Sequence, residues 1–274
     1  MRLFHKHVGA LCGLIAAVMP VVPAKAAITI TPTLVVIEGR ARYADVNLVN
    51  SGDLLSTYAI GWRYYKMEEG TGGYLNSEGS TTDFDLGKNM IFTPRRIAID
   101  PQQVQKIRLG LRLKGEPPPP GDYRAHLELK EVPADAAAPA QDKKPGQRGA
   151  SVGVKVNVGF TIPVVYRVGE SDAKVEIGKI ETRINQKSGR IEVLVPATKS
   201  KSNFGILGRL EIYYKDDLVG QVKNANIFPE INQRTFKIPL TVNTMSGGSL
   251  HIVYKDFHKD QDNILTEKTV PVGR

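Results

Sequence analysis

Cysteine is almost missing from this chain of 274 residues. The single one, Cys12, lies in the first stretch of sequence, so no two thiols exist to form an intramolecular disulfide. The residue before it is Leu11, neither small nor late in the apolar run, which argues against lipidation at this cysteine. Clean helical stripes are also missing: no run of about 11 residues repeats apolar positions at the 3.6-residue period. Beyond residues 8–22 no stretch is long and apolar enough to span a bilayer, so no membrane insertion is expected. His126, His251 and His258 are scattered without metal-ligand spacing, so no metal site is expected. The acidic run around Asp256, Asp260 and Asp262 lacks the glycine and closing glutamate of a calcium loop and reads as a solvated turn. No Gly-x-Ser-x-Gly elbow, phosphate loop or dinucleotide fingerprint is found, which leaves neither cofactor nor enzyme chemistry to assign. Lys and Arg do not cluster with aromatics, which disfavours nucleic-acid binding.

What is present begins with an export signal. Arg2 and Lys6 precede a charge-free apolar run over residues 8–22, and Ala24-Lys25-Ala26 places small residues where a signal peptidase reads. Residues 1–26 are therefore expected to be a cleaved secretory signal, and the mature chain a periplasmic one. Removing Arg2, Lys6 and Lys25 takes the basic count from 37 to 34 against 28 acids, a net charge of +6. A secreted chain without cysteine has to be stabilised by burial alone. The remaining 248 residues (274 less 26) suffice for two ordinary domains.

Period two runs through the mature chain. Residues 43–48, 57–65, 104–113 and 123–129 alternate apolar with polar side chains between turn clusters such as Asn50-Ser51-Gly52-Asp53. Residues 174–180, 190–195, 209–214, 235–240 and 249–254 repeat the pattern in the second half. Short strands punctuated by Gly, Asn and Asp predict antiparallel sandwiches or barrels. A break near Val168-Gly169-Glu170-Ser171-Asp172 divides the chain into all-β domains at 27–168 and 169–274, joined by a short hinge. Trp62 is expected in the first core. Residues 133–150 carry no large apolar side chain and are expected to be mobile.

That polar segment leads into the strongest alternation in the sequence. Val152, Val154, Val156, Val158, Phe160, Ile162, Val164, Tyr166 and Val168 occupy successive even positions. As one strand, residues 151–168 would reach nearly ~60 Å, against a usual strand of about 5–6 residues. Two readings stand: the strand crosses between domains and both cores absorb it, or its first half is an apolar edge kept for another protein. Sheet edges of the second kind are normally avoided, and their recognised use is pairing with a partner's strand.

Several motifs, taken together in order and spacing, resemble the periplasmic chaperones of the chaperone–usher pilus pathway. They are Phe92-Thr93-Pro94-Arg95-Arg96, Pro101 with Val104-Gln105-Lys106-Ile107-Arg108, Gly121-Asp122-Tyr123-Arg124-Ala125-His126-Leu127, and Ile162-Pro163-Val164-Val165-Tyr166-Arg167. The resemblance covers residues 28–168, and the second half fits the layout without a sharp motif. It implies two immunoglobulin-like β-sandwich domains. It also implies a chaperone that folds and caps a pilus or fimbrial subunit by donor-strand complementation and delivers it to an outer-membrane usher. Val152, Val154, Val156 and Val158 are then the donated side chains, while Phe160 onward belongs to the protein's own core and hinge.

The family's basic anchors for the subunit's terminal carboxylate, one in the first strand and one late in the donor strand, fall here at Leu34 and Pro163, neither of which carries charge. A carboxylate favours an Arg fork, so Arg95, Arg96 and Arg124, with Lys155 beside the valines, are the candidate anchors. The alternative function is a secreted β-sandwich pilus subunit or adhesin that polymerises with itself. Self-association of the free protein is also a possibility under the chaperone reading.

Overall fold

The computed structural model describes residues 28–132, 159–257 and 263–272. The expected signal 1–26, the segment 133–150 and Val152, Val154, Lys155, Val156 and Val158 lie outside these residues, as do His258, Asp260 and Asp262. Ten strands build the first half: β1 (Ile28–Thr31), β2 (Val35–Glu38), β3 (Tyr43–Asn50), β4 (Ser56–Met67), β5 (Tyr74–Ser77), β6 (Met90–Thr93), β7 (Arg96–Ile99), β8 (Val104–Leu111), β9 (Gly121–Glu131) and β10 (Gly159–Val168). Eight follow in the second: β11 (Val175–Ile177), β12 (Glu181–Ile184), β13 (Ile191–Lys199), β14 (Gly208–Tyr214), β15 (Asp217–Val222), β16 (Gln233–Pro239), β17 (Ser249–Asp256) and β18 (Ile264–Pro271). A single 3-10 turn over Gly87–Asn89 is the helical element among the described residues, and no helix is long and apolar enough to cross a membrane.

The first sandwich packs a sheet of order β1-β3-β8-β6 on one of order β2-β10-β9-β4, with β5 and β7 on different halves of β4. In the second, β13 lies between β16 and the short strands β11 and β12, opposite a sheet of order β15-β14-β17-β18. The protein is all-β, with two immunoglobulin-like sandwiches. Alternation explains the layers, since successive side chains on a strand face opposite ways. Val46 and Leu48, Ile107 and Leu109, and Leu127 and Leu129 all point into the first core. The turn at Lys215-Asp216 has both residues in the left-handed region, the geometry of a two-residue hairpin loop between β14 and β15.

Strand lengths differ from the sequence reading where local pairing intervenes. Residues 174–180 shorten to β11 because the next residue in register, Pro196, accepts the Gly178 N–H at 2.8 Å but has no N–H to return. β12 is exposed at all four positions, so it carries no alternation by which to recognise it. Trp62 is half-buried, packed edge-on against Phe92 at 5.6 Å.

The junction is broader than a short hinge. Gly169, at φ +84, turns the chain directly after β10, a conformation that glycine adopts without a Cβ penalty. Leu34, Met67 and Val165 of the first half are buried within the second sandwich's core. Leu34, where the family has a basic anchor, is thus an apolar plug between domains, 2% exposed. Leu34→Ala is expected to cost about 2–5 kcal/mol in urea unfolding, the usual range for a buried truncation. Leu54→Ala, on an exposed loop, should cost less than about 0.5 kcal/mol; equal effects would refute the plug.

Candidate functional site at the edge of strand β10

On one side, β9 pairs with β10 along its whole length, from Gly159 opposite Lys130 to Val168 opposite Gly121. On the other, β2 runs parallel to Val164–Arg167 only. The β2-side edge of residues 159–163 therefore has no strand partner among the described residues. Ile162 and Pro163 are buried, Phe160 is half-buried, and Gly159 and Thr161 are exposed. Beside this edge runs a groove of about 510 Å³. Ile28 and Ile30 of β1 line one wall and Phe160 to Pro163 another, while Asn224, Asn226 and Arg234 of the second sandwich close it.

Charged groups hold the two sandwiches together. Arg167 and Asp122 face each other across β10 and β9 and form a two-pronged pair, both contacts 2.7 Å. Asp122 also accepts the Gly205 N–H at 2.8 Å, and Arg167 donates to Gly205 O at 3.1 Å. Arg124 donates to Tyr65 O at 2.8 Å and to Glu230, whose carboxylate accepts the Met67 N–H at 3.0 Å. The Arg124 guanidinium also lies 3.8 Å from the Phe228 ring centroid. Burial pushes its pKa below the ordinary guanidinium range, against the pull of Glu230. A third tie is the turn after β4. Glu69 accepts the N–H groups of Asn232 and Gln233, the latter at 2.8 Å. Gly70 exchanges backbone hydrogen bonds with Gln233 and Thr235.

Of the candidate anchors named from the sequence, Arg95, Arg96 and Arg124 do not converge in the structure, and Lys155 lies outside the described residues. Arg95 and Arg96 are exposed, next to and within β7. Strands β4 and β9 separate them from β10. Arg124 is buried at the junction and its charge is already met by Glu230. Pro163 lines the groove opposite His126 in the ladder. Asp122 and Arg167 stood inside the sequence motifs without an assigned role. The turn residues Glu69, Asn224 and Glu230, and Arg234 in β16, gave no sequence signal, because each acquires a role there only through the neighbour it folds against.

No protein-family model matches the chain, and neither does any curated protein. Solved structures do match. The Escherichia coli chaperone DraB is 15% identical over 89% of this chain and 97% of that one, with a TM-score of 0.42. A chain of the CsuC–CsuE chaperone–tip adhesion subunit pre-assembly complex of Acinetobacter baumannii is 14% identical over 90% and 98%, at 0.42. One from the Salmonella enterica SafA pilin–SafB chaperone complex is 8% identical over 91% and 99%, at 0.44. The chain is thus similar to fimbrial chaperones.

His126 sits beneath the groove, its ring 4.9 Å from that of Tyr65 and 5.1 Å from that of Tyr74. Neither ring nitrogen has a hydrogen-bond partner among the described residues. Burial first, and the neighbouring Arg124 charge second, lower its pKa to about 3. Between about 6.5 and that value the unfolded chain binds a proton that the folded chain refuses. This contribution to stability is complete above pH 6.5 and is lost as pH falls towards 3. His126→Phe is expected to flatten the pH dependence of urea midpoints in that window; an unchanged slope would place the sensitivity elsewhere.

Proposed function

We propose that this protein is a periplasmic chaperone that folds and caps a pilus or fimbrial subunit by donor-strand complementation and delivers it to an outer-membrane usher. The observation that carries the proposal is the edge of Gly159–Pro163 that has no strand partner among the described residues. It continues directly from Val152, Val154, Val156 and Val158, which alternate in phase with the buried Ile162, Val164 and Tyr166. An edge of this kind supplies backbone hydrogen bonds to an added strand, and alternate side chains fill the partner's pockets. Ile162, Val164 and Tyr166 pack within the first core, and on this reading the valines upstream of them are the side chains donated to the partner. Lys155, between Val154 and Val156 in sequence, is a candidate for the subunit's carboxylate.

Burying a valine is worth roughly 1.5 kcal/mol, so four together supply about 6 kcal/mol before ordering costs. Val154→Asp combined with Val156→Asp is therefore expected to abolish capture of the co-expressed subunit while leaving the melting temperature of the free protein unchanged. Ile162→Asp should unfold the first sandwich. Collapse of the melting transition in the double variant would make these valines ordinary core and remove the basis of the reading.

A further inference from the structure

Outward cations elsewhere on the sandwiches pair with an acid of their own, as Arg63 does with Glu128 and Arg183 with Glu192. The sheet β1-β3-β8-β6 is different, because its four strands contain one acid, Asp45. Val46, Leu48, Ile107 and Leu109 point inward, so Tyr43 and Asp45 of β3 and Lys106, Arg108 and Gly110 of β8 point out. Two cations share the acid: Arg108 grips Asp45 with two contacts of 2.8 and 3.0 Å, and Lys106 lies 3.3 Å from it. The Arg108 bond, with help from Lys106, holds the Asp45 carboxyl down at about 2. The trio therefore keeps one net positive charge. Arg42 and Arg112 add two more at the end of the sheet, where the Leu111 N–H donates to Arg42 O at 2.7 Å. Both are exposed, and neither has an acid at ion-pair distance among the described residues. Arg42 donates to the carbonyls of its own turn, Gly39 O at 3.4 Å and Ala41 O at 3.2 Å. Glu38 of the same turn lies instead in the pocket beside Arg167.

An apolar row crosses the sheet between Arg108 and Arg112. Tyr43 and Ile91 stand in register on either side of Gly110, 68% and 58% exposed. Ile91 leans over the glycine, since a Cβ there would meet its Cγ1 at 3.3 Å. Arg108 lies 5.7 Å from the Tyr43 ring centroid. A tyrosine ring suits the boundary between headgroups and water, and long basic side chains reach phosphates while their stems rest on apolar groups. We propose that this face docks the protein on an anionic phospholipid surface, peripherally and without insertion of the chain. The basic side chains supply most of the attraction, while Tyr43 and Ile91 fix the orientation. A protein partner would need a fixed complementary shape, whereas Arg42, Lys106 and Arg112 are exposed side chains that suit a fluid charged plane. The face belongs to the opposite layer of the first sandwich from β10. Docking therefore leaves the open edge of β10 free and does not depend on what pairs there.

The test is co-sedimentation of the full mature chain with vesicles of mixed phosphatidylglycerol and phosphatidylcholine, and with phosphatidylcholine alone. Wild type is expected to bind the anionic vesicles only, and high salt should release it. One basic side chain near an anionic surface contributes about fivefold, so Arg42→Glu with Arg112→Glu should weaken binding about 25-fold or more. Lys174→Glu with Lys179→Glu, exposed on the second sandwich, makes the same change in net charge and should bind as wild type does. Tyr43→Ser with Ile91→Ser should also weaken binding. All these variants should melt as wild type does, since every altered side chain is exposed. If the Arg42 and Arg112 reversal lowers the melting temperature, Arg42→Gln with Arg112→Gln repeats the comparison and should still weaken binding. Equal losses in the two charge-reversed variants would make the attraction one of net charge and overturn the proposal. Absence of binding to the anionic vesicles, or equal binding to phosphatidylcholine alone, would overturn it too. Tighter binding to poly-glutamate than to the anionic vesicles would make the partner an acidic chain instead.

Discussion

The ladder between β9 and β10 runs without a break for ten residues, while the parallel strand β2 covers only Val164–Arg167 of β10. Because β9 satisfies one edge of β10 throughout, Gly159–Pro163 stay extended without needing a second neighbour. Backbone groups on their other edge have no strand partner among the described residues, the situation that sheet proteins usually avoid by charge, proline or cover. Here Pro163 falls near the boundary between the covered and uncovered halves, a position where a strand tolerates a residue with no N–H to give.

The same ladder sets up the junction. Asp122 and Arg167 are opposite each other on β9 and β10, so the register that aligns the strands also aligns the pair that grips Gly205 of the second sandwich. Arg124 with Glu230, and Glu69 with the start of β16, add two more ties on neighbouring strands. Buried pairs of this kind contribute more to geometry than to net stability, since desolvation offsets much of the attraction. Stability comes from Leu34, Met67 and Val165, which carry the first half's apolar surface into the second core. Together they fix the second sandwich against the open edge.

Much of the architecture was legible in the residues. Period-two alternation and turn clusters predicted strands, two β domains and the break near Gly169, because the alternation of a strand between core and solvent is a local property. β12 escaped because an exposed strand has no alternation to display. Arg95 and Arg96 stand out by charge within a motif, and folding separates them from β10 by two strands. Arg124 has the same local signal, but its partner Glu230 lies 106 residues away.

By itself the sequence determined the longer alternating strands, which of their side chains face inward, and that the even positions of residues 152–168 are one continuous apolar row. Those properties depend on near neighbours along the chain. Only the tertiary structure decided which cations are neutralised, where β10 is left open, and that Arg234 lines the same groove as Ile28 and Phe160. Burial, counter-ion and edge pairing are all set by residues distant in sequence, and none has a local signature.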